Sequence, residues 1–420
     1  MLRIHEGDFE AALTTLGRRG DADLERVEPA VRAILAEVRE RGDDAVRDLT
    51  ERFEQRRQEH VVLREEAWRA EAETVAPEVK AALAEAAERI RRYHLHQREP
   101  GFRYEEEGVV LGQRVLPVRA AAVYAPGGKA RYPSSVLMTA VPAAVAGVKR
   151  IVLLTPRPTP EILAAAAVAG VTEVVDAGGA QAVAAAAYGT ASLTRVEKIV
   201  GPGNIYVACA KRLVFGLVDI DSIAGPSEIL VVADEGADPA VVAADLLSQA
   251  EHDEDAYPLL VTLSRAKADA IAVELAQQLE TLPRRAIAEA SVRANGHCFV
   301  ARDRADAARI ADVLAAEHLA LAVDDAEAML EGISAAGAAF LGYHTPEAAG
   351  DYAAGPSHVL PTGGAVRFAS PLGVYDFVVR TSLIRYAPEA LRRQSALLQG
   401  LARLEGLEAH ARAVAVRTGE

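Results

Sequence analysis

The chain has 420 residues, half of them apolar and a quarter charged, with a formal net charge of -14. That length exceeds what one hydrophobic core serves, and that balance excludes a mainly disordered chain, so the whole of it is expected to fold into more than one domain-sized unit. The negative charge leaves no broad basic face for a phosphate backbone, and no nucleic acid partner is expected; helix N-termini can still hold smaller anions through backbone N–H groups.

Two cysteines, Cys209 and Cys298, are too few for a disulfide framework and form no CxxC metal motif, which fits a reducing compartment. The opening MLRIHEGDFE lacks the basic and apolar blocks of a signal peptide, and the alanine-rich runs are broken by Gly, Gln and Glu before membrane-spanning length. A cytoplasmic protein with no membrane partner is the expectation.

In chain order, the first hundred residues carry helical stripes: Val27, Val31, Ile34, Leu35 and Val38 on one face, then Val79, Leu83, Ala86, Ile90 and Tyr93 on another. Gly42 is placed to end the first of these helices. From Ala120 short β-rich runs alternate with alanine-rich helical segments, the pattern of a parallel sheet covered by helices. The predicted strands are AAAVY at 120–124, RIVLLT at 150–155, EVVDA at 173–177 and KIVG at 198–201. A second α/β lobe begins near Glu228 with EILVVAD and YPLLVTLS and continues through FVA, LALAV and AAFLGY. From Pro388 the chain reads as a leucine-rich helical arm, interrupted at Gly400 and Gly406, suited to packing on a partner subunit.

Ligands of open parallel sheets bind beyond the carboxyl ends of the strands. In the first lobe those positions hold Tyr124-Ala-Pro-Gly-Gly, Gly178-Gly-Ala-Gln181 and Gly201-Pro-Gly-Asn204. Their glycines admit close backbone approach, although the GxGxxG dinucleotide fingerprint is absent. In the stretch SQAEHDED, read as helical from Ser248 to Asp255, Gln249 and His252 share a face, and imidazole is a common metal ligand. Spacing alone does not choose between Gln249 and Glu251 as its companion. Asp351 and His358 share the glycine-rich loop GDYAAGPSHVLPTGG. Glu317 and His318 sit where a helix gives way to a strand and offer two proton-transfer groups. Glu405 and His410 lie five apart on the C-terminal helix. Taken singly, each of these reads equally well as a tight turn or a solvated helix end.

Together, VYAPGGKARYPSSVLM, GAQAVAAAAYG, VGPGNIYVACAKR, VDIDSIAGPSEILVVAD, LLSQAEHD, GDYAAGPSHVLPTGG and GLEAHA resemble the histidinol dehydrogenase family along almost the whole chain. The resemblance implies a zinc-dependent, NAD-linked oxidation of L-histidinol to L-histidine through L-histidinaldehyde, the last step of histidine biosynthesis. It implies an α/β fold of two related, incomplete Rossmann-like lobes with parallel sheets and small helical terminal segments, in a domain-swapped homodimer. The implied division is an N-terminal helical segment 1–20, a lobe of 21–119 with 228–370 carrying most metal and catalytic residues, an NAD-binding lobe 120–227, and a helical dimerisation arm 371–420.

Carried over residue by residue, Gln249, His252 and Asp351 are the implied ligands of one zinc per subunit, joined by His410 of the partner subunit. Tyr124, Gln181 and Asn204 are implied to contact NAD. Glu317 and His318 become the catalytic pair, and Ser227, Gln249, His252, His318, Asp351, His358, Glu405 and His410 are implied to face the substrate. The chain departs from the family pattern at Ser357, where Asn is usual, and at Ala316, where Pro is frequent. Two rival readings are a cysteine-dependent aldehyde dehydrogenase, which needs a reactive thiolate, and a regulatory protein with a retired site.

Overall fold

The computed structural model describes residues 2–19, 24–127 and 132–420. They form two compact units, Met1–Gln97 with Arg119–Phe377 and Arg98–Val118 with Val378–Glu420. The larger unit holds two all-parallel sheets. The first runs Glu173–Val175, Arg150–Leu154, Ala120–Tyr124, Lys198–Val200, Asp219–Ile220 in spatial order, with Ala122 in register with Val152 on one side and Ile199 on the other. The inner strands are covered on both faces, which is why AAAVY and IVLL are unbroken apolar runs rather than alternating ones.

The stripe Val27, Val31, Ile34, Leu35 and Val38 is buried as predicted, on the helix Leu24–Arg41. It joins one core with Ala182, Val183 and Val207 of the first lobe. The helices Glu65–Glu73 and Pro77–Leu95 likewise pack on the helix Pro160–Ala169 of that lobe. The described helices between residues 24 and 95 therefore belong with 120–227, whereas the sequence reading grouped 21–119 with 228–370. Hydrophobic periodicity says which face of a helix is buried but not which sheet buries it. On Pro77–Leu95 the buried stripe is Ala87, Ile90 and His94, while Val79, in the uncovered first turn, and Tyr93, beside the stripe, are exposed.

The second sheet runs Arg3–His5, His297–Val300, Tyr257–Thr262, Glu228–Ala233, His318–Ala322, Ala338–Leu341. Its outermost strand comes from the segment expected to be helical over 1–20: Arg3–His5 pairs with His297–Phe299, and only Glu10–Leu16 is helix. Three residues are too few for a period to register, and the strand exists because the sheet has an edge to accept it.

The smaller unit pairs Phe102–Glu106, Val109–Pro117 and Val378–Tyr386 as an antiparallel sheet, followed by helices Pro388–Leu404 and Glu408–Thr418. The arm expected to be helical over 371–420 thus opens with a nine-residue strand, VVRTSLIRY, rich in β-branched residues. The helices are separated at Gly406, whose φ of +73° takes the chain out of the helix, so Glu405 caps one helix and His410 stands in the next. Among the described residues, no helix is long and apolar enough to cross a membrane.

Candidate active site

The helix Pro239–Ala250 ends before the segment in which it was predicted to continue: Glu251 is its C-cap and His252 lies in the turn beyond. The His252 N–H donates to the Gln249 carbonyl at 3.0 Å, which keeps the two side chains on one side of the turn. Gln249 is buried and His252 is partly so.

The strand His318–Ala322 begins on the histidine itself, after a helix that ends at Leu314. His318 and Glu317 are both buried. Their placement turns on Glu228, the first residue of the neighbouring strand. The His318 Nδ1 lies 2.9 Å from the Glu228 carbonyl oxygen, and since a carbonyl only accepts, Nδ1 carries the proton and Nε2 presents a lone pair. The Glu228 N–H donates to Glu317 Oε2 at 2.9 Å, and the Glu317 N–H donates back to Glu228 Oε2 at 3.2 Å. Arg19 closes the group with a two-pronged contact, Nε to Glu228 Oε1 at 2.9 Å and Nη2 to Oε2 at 2.5 Å.

The short helix Glu347–Tyr352 brings in two more carboxyls. One ligand atom each from His318, Glu347 and Asp351 lie within 4.8 Å of one another. Glu347 Oε1 stands 3.5 Å from His318 Nε2 and is buried with no hydrogen-bond partner, while Oε2 accepts from the Ser248 hydroxyl at 3.0 Å. A buried carboxylate oxygen left without a donor is costly unless a cation or a proton completes it. His358 joins from the loop beyond, its Nδ1 3.1 Å from the Asp351 carbonyl and 3.6 Å from Oδ1. Its Nε2 is 3.4 Å from the Ser135 hydroxyl, in the first turn of Pro133–Ala146. Next to it, Ser357 donates to the Met138 carbonyl at 3.0 Å. These contacts seat the loop on the first lobe, so the amino edge of the second sheet faces the helix that follows the first lobe's Ala120–Tyr124 strand.

The charges are strongly displaced. Burial, reinforced by the Glu228 charge, pushes the Glu317 carboxyl well above its usual range. Burial, reinforced by Asp351, pushes Glu347 up to about 8. Burial pulls His318 down to about 4 against the opposing charge of Asp351, and lowers His252 in the same way. Asp351 is pushed up by burial, but its hydrogen bond with His358 and the charges of His358, His318 and His252 outweigh that and leave it below the ordinary value. Asp351 is therefore the ionised member of the group and Glu347 the proton holder. An N/O donor set of imidazole and carboxylate with an orphaned buried oxygen suits a divalent metal such as zinc.

Ser227 also stands at this amino edge, its carbonyl accepting the Tyr257 N–H at 2.9 Å. The three predicted dinucleotide contacts lie at the other kind of edge, the carboxyl ends of the first sheet. Tyr124 ends its strand and its buried hydroxyl, pushed up to about 12 by burial, accepts the Gly179 N–H at 3.0 Å. Gln181 is buried in the first turn of Gly179–Tyr188, and Asn204 caps Ile205–Val214. Pointing helix N-termini at this edge suits an anionic dinucleotide. Part of the Tyr124 loop, residues 128–131, lies outside the described residues. Glu405 and His410 are exposed residues of the smaller unit.

Sequence reading missed Glu347, Glu228 and Arg19. Glu347 had a signal, its i,i+4 spacing to Asp351 on one helix face; Arg19 and Glu228 are 209 residues apart and had none. Both cysteines are fully buried, with thiols pushed up by burial, Cys298 to about 12, which leaves no activated thiolate for a cysteine-dependent mechanism.

The family model described as histidinol dehydrogenase matches residues 17–418. The chain is 48% identical over 421 residues to the histidinol dehydrogenase of Aquifex aeolicus, covering 100% of this chain and 99% of that one. It is 48% identical over 409 residues to that of Bacillus subtilis, covering 96% of each. A crystal structure of histidinol dehydrogenase from Elizabethkingia anophelis superposes with a TM-score of 0.92 at 33% identity, covering 99% of this chain and 97% of that one. By fold and sequence alike, the chain belongs to the histidinol dehydrogenase family of oxidoreductases.

Proposed function

We propose that this chain oxidises L-histidinol to L-histidine in two NAD-linked steps through the aldehyde, at a zinc site on the amino edge of the second sheet. The observation that carries the reading is the group of His318, Glu347 and Asp351, whose ligand atoms lie within 4.8 Å of one another, with its unpartnered Glu347 oxygen. Gln249, His252 and Asp351 would hold the zinc with His410 of the partner subunit in a homodimer, and the zinc would orient the imidazole and amino nitrogens of the substrate. Tyr124, Gln181 and Asn204 would hold NAD, which accepts one hydride in each half-reaction.

The protein's own part is proton handling. His318, with Nδ1–H committed to the Glu228 carbonyl, offers Nε2 as acceptor for the carbinol proton as the first hydride departs, and again for the hydrate proton in the second step. Asp351, the ionised carboxylate beside that nitrogen, stabilises the imidazolium formed. Between the two oxidations water adds to the aldehyde, and Glu317 in its ionised form takes the proton of that water. Alcohol, water and two NAD+ thus give carboxylate, two NADH and three protons. Ser227, His358 and Glu405 line the substrate in this scheme, and the cytoplasm is its natural setting.

The test is NADH release from L-histidinol: two NADH per histidinol, abolished by a chelator and restored by zinc. Turnover that survives complete metal removal would sink the zinc assignment, and one NADH per histidinol would sink the two-step reading.

A further inference from the structure

We infer that Lys211 and Asp221 are positioning residues for dinucleotide binding, a buried ion pair that fixes the Gly201–Asn204 turn; this rests on the assignment of Tyr124 and Asn204 to NAD. Both side chains are almost fully buried, 2% and 5% exposed. Removing two charges from water costs several kcal/mol per ion in general, so such a pair is a poor source of stability and is better understood through what it holds.

What it holds is a single peptide unit on either side of Gly201. Lys211 Nζ, paired with Asp221 Oδ1, donates to the Gly201 carbonyl at 2.9 Å. Asp221 Oδ2 accepts the Gly201 N–H at 2.7 Å. Both backbone polar groups of one residue are therefore committed to one buried pair. Gly201 has a φ of +113°, and a Cβ there would lie 2.4 Å from the Tyr124 carbonyl oxygen, so its backbone is pressed against that of Tyr124.

Three residues on, Asn204 Oδ1 accepts from the N–H groups of Tyr206 and Val207 at 3.1 and 3.2 Å, which commits its oxygen to the helix and leaves the Nδ2 donors for a ligand. Tyr124 is tied in turn to the second glycine loop through its hydroxyl and Gly179. A shift at Gly201 therefore displaces Tyr124 and Asn204 together. Lys211 itself is one helical turn and more beyond Asn204, on the same helix Ile205–Val214, so the clamp is built into the element whose N-terminus faces the ligand.

The experiment compares the zinc-loaded full-length enzyme with its Lys211→Met and Asp221→Asn variants, the second nearly isosteric so that one folded variant is available. NADH affinity is read by fluorescence titration without histidinol, alongside zinc content and steady-state constants. The expected result is a tenfold or greater weakening of NADH binding and a matching rise in KM for NAD. The kcat at saturating NAD, the KM for histidinol and the zinc content stay within threefold of the parent. Unchanged NADH affinity in either folded variant overturns the inference, as does a loss shared equally by histidinol and zinc, the signature of general disruption. Tyr124→Phe and Asn204→Ala serve as references: weakened NADH binding in these with none in the Lys211 and Asp221 variants rejects the clamp alone. No weakening in any of the four rejects the clamp and the NAD assignment together.

Discussion

The two sheets of the larger unit share one architecture and use opposite edges. The first presents its carboxyl ends, where helices begin: Gln181 lies in a first helical turn and Asn204 is an N-cap. The second presents its amino ends, where helices finish: Gln249 lies in the last turn of Pro239–Ala250, and Glu317 and His318 follow the end of Arg304–Leu314. Helix N-termini carry partial positive charge and free N–H groups, and C-termini carry partial negative charge and free carbonyls. One edge therefore suits a dinucleotide phosphate and the other a metal cation with an amino substrate. On the proposed assignment, choice of edge, rather than choice of fold, sorts the two ligands by charge.

The comparison breaks most easily at the amino edge. His252→Ala is expected to lose zinc and turnover together, with NADH affinity unchanged; metal analysis and fluorescence titration of the same sample check both halves, and full zinc content with normal turnover would remove His252 from the site. Glu317→Gln should slow the second oxidation more than the first, by about 10²–10⁴-fold, the usual range for loss of a general base. Single-turnover rates with histidinol and with histidinaldehyde measure this, and equal losses in both would contradict the hydration role.

At the carboxyl edge the expected effects are smaller and of another kind. Gly201→Ala sets a Cβ 2.4 Å from the Tyr124 oxygen at a positive φ, and strain of this sort costs about 1–3 kcal/mol. A lowered denaturation midpoint with a raised KM for NAD and an unchanged zinc content is expected, and a rise in the KM for histidinol alone would contradict the division of labour between the edges.

The mildest test uses two histidines that each open a strand on the same amino edge. His318 has carboxylates around it; His297 has Arg3 at 3.3 Å and His5 at 2.8 Å. Burial, reinforced by His5 and Arg3, pulls His297 down to about 4 from 6.5. Its folded value is below its unfolded one, so the unfolded chain gains a proton first as pH falls, and stability present above pH 6.5 drains away between 6.5 and 4. The shift corresponds to about 3.4 kcal/mol, and solvent screening of this incompletely enclosed ring makes the actual loss smaller. Replacing His297 with Phe should flatten denaturation midpoints across that window, and an unchanged slope would mean that another group sets the acid sensitivity.

The sequence made the inner strands of both sheets legible because strands buried on two faces leave unbroken apolar runs such as EILVVA and AAAVY. It offered individual candidate ligands where chemistry and spacing coincide, as for His252 with either Gln249 or Glu251. Family resemblance rather than periodicity chose Gln249 over Glu251. The strands Arg3–His5 and Val378–Tyr386 stayed hidden because a strand's existence depends on the edge that accepts it. Arg19 and Glu228 stayed hidden because a contact across 209 residues has no local signature, although it fixes the position of Glu317 and His318. The same limit assigned the helices of residues 24–95 to the wrong lobe.

Both thiols are sealed in the core, Cys209 and Cys298 alike at 0% exposure. Under native conditions neither competes for a maleimide, so a cysteine introduced at the surface becomes the sole point of attachment without any prior removal of natural ones. A fluorophore at Tyr206, 42% exposed on the helix behind Asn204, would then give an optical reporter of dinucleotide arrival that is independent of catalysis.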